Sequence, residues 1–109
     1  MQRFRAYIAV YILASRRHGT LYIGVTSDLI WRVRRHRAEE FRGFTRIYQV
    51  KRLVWWEGHE TMRGAIRREK SLKKYRREWK INLIEAENPD WRDLFEDLVR
   101  LAESSQEGF

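Results

Sequence analysis

The 109-residue chain contains no cysteine. That excludes disulfides, a thiolate metal site and a cysteine nucleophile, and it fits a reducing cytoplasm. No apolar run approaches the roughly 20 residues needed to span a bilayer. The opening MQRFRAYIAVYILAS is too short and too strand-like for a secretory signal and has no small-residue cleavage site. No internal repeat or low-complexity tract interrupts the chain. Acidic residues are scarce over most of its length: residues 1–80 hold 7 Asp and Glu against 21 Lys and Arg, a balance of +14. The remainder reverses this, with 8 acidic against 2 basic residues and a balance of −6.

What is present is a folding composition. A hydrophobic content of 43% excludes a disordered chain, and 35% charged residues exclude a membrane-embedded one. The length suits one small domain, placed at residues 1–102, with 103–109 as a flexible tail. The basic body attracts polyanions, above all phosphate backbones. Arginine dominates lysine in it, and a guanidinium forks onto phosphate with two hydrogen bonds. Nucleic acid is therefore the expected partner. A membrane is not, since no single basic amphipathic helix stands out.

The expected elements follow from pattern. Tyr7–Ala14 is an apolar, β-branched and aromatic run that predicts a strand buried on both faces. A polar turn closing on Gly19 leads to a second strand, Thr20–Val25, which makes an antiparallel hairpin. Gly24 inside that strand asks for a bulge or a close backbone approach. Thr26 or Ser27 caps a helix to about Ala38, with Asp28 in its first turn. A loop over Glu39–Gln49 precedes a third strand, Lys51–Glu57. Helices follow from Glu60 or Thr61 to about Tyr75 and over Arg77–Ala86. Asn88-Pro89 opens a last helix with Trp91, Leu94, Phe95, Leu98, Leu101 and Ala102 on one stripe. The order predicts an α+β domain, a small three-stranded, mainly antiparallel sheet flanked by helices.

Polar residues fall where a core is expected. On the first helix, Leu29, Ile30 and Val33 mark the inward face, and Arg32 and His36, four apart, lie on its shoulder. Trp31, Arg34 and Arg35 point away. On the second long helix, Met62, Ala65, Ile66 and Leu72 define the apolar stripe, with Glu69 near its centre. A buried carboxylate needs a partner. Lys73, one turn on, offers a plain ion pair. Alternatively, Glu69 holds a divalent cation, since Mg²⁺ often uses one or two carboxylates with water and substrate phosphate. Tyr11 and Tyr22 lie mid-strand, where packing alone would explain them unless they face the same pocket.

The sequence resembles the GIY-YIG endonuclease superfamily, in its small stand-alone bacterial branch. Ala9-Val10-Tyr11 stands where Gly-Ile-Tyr is typical, and Tyr22-Ile23-Gly24 is intact. Thr26-Ser27-Asp28-Leu29 follows, then Arg32 and His36. Gly43-Phe44-Thr45, Leu53-Val54, Ala65 to Lys70 and Asn88 to Leu94 complete the match, over about residues 5–98. The resemblance implies a metal-dependent endonuclease that hydrolyses phosphodiester bonds, in DNA rather than RNA, with low sequence specificity. The alternative is a non-catalytic nucleic-acid-binding module on the same fold. A third reading makes the acidic last helix a protein-contact surface.

By position, the resemblance gives Tyr11 the task of activating or placing the attacking water and Tyr22 that of ordering the site. Arg32 stabilises phosphoryl charge, His36 assists proton transfer or binds phosphate, and Glu69 holds the single Mg²⁺ or Mn²⁺. A late asparagine is expected, with Asn88 preferred over Asn82. Phosphodiester hydrolysis needs an attacking water, a cation at the developing oxyanion and a proton for the leaving oxygen. A tyrosine serves as a base only if a nearby cation favours its phenolate. Arg34, Arg35, Arg37, Arg46, Lys73, Lys74, Arg76, Arg77 and Lys80 would track the phosphate backbone. Trp31, or one face of Trp55-Trp56, could stack on a base.

Overall fold

A computed structural model of the protein describes residues 7–40 and 43–107, with side chains through residue 104. The opening residues 1–6 of the expected domain, residues 41–42 of the expected loop and residues 108–109 of the expected tail lie outside the described residues. The chain runs through β1 (Ala9–Ala14), β2 (Leu21–Thr26), α1 (Leu29–Arg37), α2 (Phe44–Ile47), β3 (Arg52–Gly58), α3 (Met62–Lys73), α4 (Arg77–Glu87) and α5 (Phe95–Glu107). The fold is the expected α+β arrangement, with the sheet order β2-β1-β3 and both pairings antiparallel. Among the described residues, no helix is long and apolar enough to cross a membrane.

Central β1 is buried at every position, because helices cover both faces of the sheet. Ala9, Tyr11 and Leu13 face α1 and α5, packing with Leu29, Ile30, Val33, Leu98 and Ala102. Val10, Ile12 and Ala14 face α3 and α4, packing with Ala65, Leu72, Ile84 and Trp91. The alternation follows from the two-residue period of a strand. A register shift beside Ile12 and Leu13 places an extra residue on β3. Across this bulge Val54 and Trp55 share one core while Leu53 and Trp56 pack with the other.

Local chemistry corrects three expected boundaries. Asp28, not Thr26 or Ser27, is the N-cap of α1, and its carboxylate accepts from the Trp31 amide at 3.3 Å. Thr26 instead bonds the Asp28 backbone, setting the chain's entry into the helix. The expected loop carries the one-turn helix α2, which seals Thr45 against the core. Asn88-Pro89 does not open the last helix. Asn88 ends α4, and α5 starts only at Phe95. Between them Trp91 adopts a positive φ of 56° and enters the core opposite the one that holds Leu98.

Candidate active site

The site grows from the hairpin. Tyr11 on β1 lies opposite Gly24 on β2, and Leu13 lies opposite Tyr22. The two tyrosines therefore project from the same face, with ring centroids 6.2 Å apart. Gly24 is the close approach its place in a strand suggested: a Cβ there would meet the Tyr11 Cζ and hydroxyl at 2.4 Å. Glycine lets the Tyr11 ring lie flat across the neighbouring strand. Ala9, in place of the usual glycine, packs its methyl into the same core.

Helix α1 delivers the other groups. Leu29, Ile30 and Val33 are buried as expected, and so is His36. His36 Nε2 lies 3.1 Å from the Tyr11 hydroxyl, and its ring is 5.4 Å from that of Tyr22. Arg32 and Tyr22 also hydrogen-bond the Tyr11 hydroxyl. An arginine can only donate. The assignment adopted has Arg32 donating to the Tyr11 oxygen and Tyr11 donating to His36 Nε2. The other imidazole nitrogen, Nδ1, lies 3.3 Å from the buried Thr45 hydroxyl. In this tautomer Nδ1–H donates to Thr45.

Burial outweighs charge in this cluster. It pushes the Tyr11 phenol above its ordinary range, and Tyr22 adds to the rise. Arg32 pulls the other way without winning. The nearby cation thus leaves Tyr11 a protonated phenol rather than a ready phenolate. His36 is lowered from 6.5 to about 4, first by burial and then by Arg32. It is neutral at pH 7, flanked by hydroxyls on both nitrogens.

Glu69 lies on α3, which packs on the opposite face of the sheet. Helix α3 buries Ala65 and Leu72, but Ile66 is exposed, so its apolar stripe is narrower than expected. The Glu69 side chain is 14% exposed and pairs with Lys73 at 3.4 Å, the plain i, i+4 pair its spacing allowed. Lys73 in turn lines a cavity of about 240 Å³ with Tyr22, Ile23, Phe44 and Lys80. That cavity wraps the free edge of β2, which is how groups from both faces of the sheet meet. Among the described residues no cluster of three or more His, Cys, Asp or Glu forms.

Asn88 is not brought to this cluster. Its amide donates to Val54 O at 3.1 Å and Arg92 O at 2.9 Å, and its Oδ1 accepts from the Arg92 amide at 3.0 Å. Asn82 is exposed on α4. The cations divide. Lys73 and Lys80 line the cavity beside Tyr22. Arg77 donates to His18 O and Gly19 O, both at 2.7 Å. Arg34 and Arg37 lie over the Phe95 ring on the far side of α1, and Arg37 also pairs with Asp93. Arg35 covers Trp31 at 4.5 Å. Arg46 and Lys74 are exposed, and Arg76 lies 3.8 Å from Glu78. Trp55 is buried and Trp56 half-buried. Thr45 is the neighbour that sequence reasoning missed. It lies in a matched stretch, but its contact with His36 crosses between elements and has no periodicity to reveal it.

A family model described as the GIY-YIG catalytic domain matches residues 7–82. Three UPF0213 proteins of Staphylococcus aureus, from strains Mu3, Mu50 and MW2, are each 35% identical to the chain over 66 residues. The match covers 61% of this chain and 80% of each relative. No solved structure gives a significant match.

Proposed function

Since the chain belongs to the GIY-YIG family, whose domain is typical of endonucleases that act on nucleic acid, we propose that it is a metal-dependent endonuclease cutting phosphodiester bonds in DNA with little sequence discrimination of its own. The observation that carries this reading is the meeting of Tyr11, Tyr22, Arg32 and His36 on one face of the hairpin. Packing explains each tyrosine alone, but not a histidine and an arginine sharing one buried phenol.

The donor set fits a divalent cation that prefers oxygen. Glu69 offers one mostly buried carboxylate held by a single lysine contact, which suits Mg²⁺ or Mn²⁺ completed by water and substrate phosphate. Such an ion supplies Lewis-acid polarisation of a phosphoryl oxygen. The rest falls to the protein. Half-buried Tyr22 faces the cavity and holds the attacking water. Behind it, Tyr11 and neutral His36 position the site, with the Tyr11 hydroxyl held against Nε2 at 3.1 Å. Arg32, always charged, offsets charge that develops on the phosphoryl group. Glu39, Glu85 and other carboxylates paired elsewhere take no part.

The test is cleavage of duplex, branched and single-stranded DNA with Mg²⁺ or Mn²⁺, comparing wild type with Glu69→Ala and Arg32→Ala. Each variant should lose about 100-fold or more in cleavage rate, the scale of a lost oxyanion partner, while Glu69→Ala keeps its affinity for DNA. The Glu69–Lys73 pair favours the second reading, a binding module without catalysis. If wild type binds every substrate and cuts none, that reading replaces the first.

A further inference from the structure

A second cavity, of about 510 Å³, opens at the β1–β2 turn and is lined by Ser15, Arg16, Leu21, Phe44, Arg77 and Lys80 among others. Leu21, Phe44 and Lys80 also line the cavity at Tyr22. The two are one groove along the outer edge of β2. Among the described residues its lining contains no Asp or Glu, while Arg16, Arg77, Lys80 and Lys73 supply the charge. A third cavity, near Arg37, Lys51 and Arg52, includes Asp93 and ion pairs at Arg37 and Lys51. In the β2 groove Lys73 pairs with Glu69 and His18 with Glu85, but Arg16, Arg77 and Lys80 form no ion pair among the described residues.

We propose that this groove is a phosphate-binding track that carries the polynucleotide strand from Tyr22 past Lys80 to Arg16 at the hairpin turn. The inference rests on the endonuclease reading and says where its substrate runs. The turn that bears Arg16 is built to stay in place. Ser15 N donates to Thr20 O at 3.0 Å, Gly19 N donates to Arg16 O at 2.9 Å, and Arg77 clamps the carbonyls of His18 and Gly19. A Cβ on Gly19 would meet Ser15 Oγ at 2.3 Å. Among the described residues the Arg16 guanidinium hydrogen-bonds only the Arg17 carbonyl, at 3.3 Å, which leaves most of its donors for phosphate. Opposite the cations, Phe44 is 47% exposed and its ring lies 6.4 Å from Tyr22 and 4.8 Å from Tyr48. One charged wall and one aromatic wall match a strand's phosphate edge and its sugar and base edge.

The track divides cations that sequence alone treats as equivalent. Arg16 and Lys80 lie on it, whereas Arg34 and Arg37 lie across α1 against Phe95. The experiment measures binding of a labelled DNA oligonucleotide, single-stranded and duplex, across a salt series in chelator, so that neither metal nor cleavage enters. Arg16→Ala/Lys80→Ala should lower the slope of log affinity against log salt by about two, close to one per lost phosphate contact. Arg34→Ala, which removes a cation that lies over Phe95 away from the groove, should leave the slope within experimental error. Equal losses for the two proteins, or none in the double variant, overturn the track while leaving the endonuclease reading intact. Wild type that binds no oligonucleotide overturns both. Arg16→Ala alone, at an exposed position, should still lower the slope by about one if the double variant folds poorly.

Discussion

The Tyr11 hydroxyl has a permanent cation on one side and an imidazole on the other, and burial is the largest influence on the protonation of Tyr11 itself and of His36. His36 makes this measurable. Its folded value of about 4 lies below the unfolded 6.5. Above pH 6.5 both states hold it neutral. As pH falls from 6.5 towards 4, the unfolded chain takes up a proton that the folded chain refuses, so stability drops by up to about 3 kcal/mol. Urea unfolding at pH 7 and pH 5 should show the loss in wild type, and His36→Gln should remove most of it. An equal loss in the variant would locate the titration elsewhere. Gly24→Ala tests the same cluster sterically. The methyl would overlap the Tyr11 ring, which should destabilise the fold by about 1–3 kcal/mol and depress cleavage even where the variant remains folded. Arg32, His36 and Gly24 were legible in the sequence because each breaks a local rule: two polar groups on an apolar shoulder, and a glycine in a strand. Thr45 breaks none. Only the tertiary fold sets its hydroxyl against Nδ1.

At the scale of elements, the stretch from Asn88 to Leu94 separates what sequence pattern can and cannot say. Asn-Pro is a sound helix-start signal, and it misleads here because the asparagine is needed more by the chain around it. Asn88 holds Val54 of β3 and Arg92 of the following segment at once. Leu94 N then donates to Leu53 O at 2.8 Å, and the Asp93 carboxylate accepts from the Phe95 amide at 3.1 Å. Asp93 thus satisfies the first amide of α5 from outside the helix, a task that pattern gave to Asn88. The expected stripe from Trp91 to Ala102 splits as a result, and Trp91 crosses to the other core. Asn88→Ala leaves buried backbone groups without partners and should destabilise by about 1–3 kcal/mol. Its cleavage rate, measured well below its melting temperature, should match wild type. A rate as low as that of Glu69→Ala in a folded variant would return Asn88 to the site.

For the whole molecule, the acidic C-terminal segment contrasts with the basic body, and its charge alone suggested a detachable contact surface. Its packing argues otherwise. Leu98 and Ala102 fill the core on the face of the sheet that carries Tyr11, beside Val33 and Leu53. Trp91 fills the core on the other face. Removing residues 87–109 takes side chains from both cores, so the truncated chain should lose its cooperative melting transition. A finer measurement separates burial from charge. Leu98→Ala leaves a cavity beside α1 and should lower stability by about 2–5 kcal/mol. Leu101→Ala, on the same helix but 47% exposed, should change it by no more than about 0.5 kcal/mol. Similar small values for both variants would mean that α5 is not part of the core, and the helix would again be free to serve as a docking face. A large loss at Leu98 alone ties α5 to the shelf of α1 that holds Arg32 and His36, and makes the acidic helix a support for the candidate site.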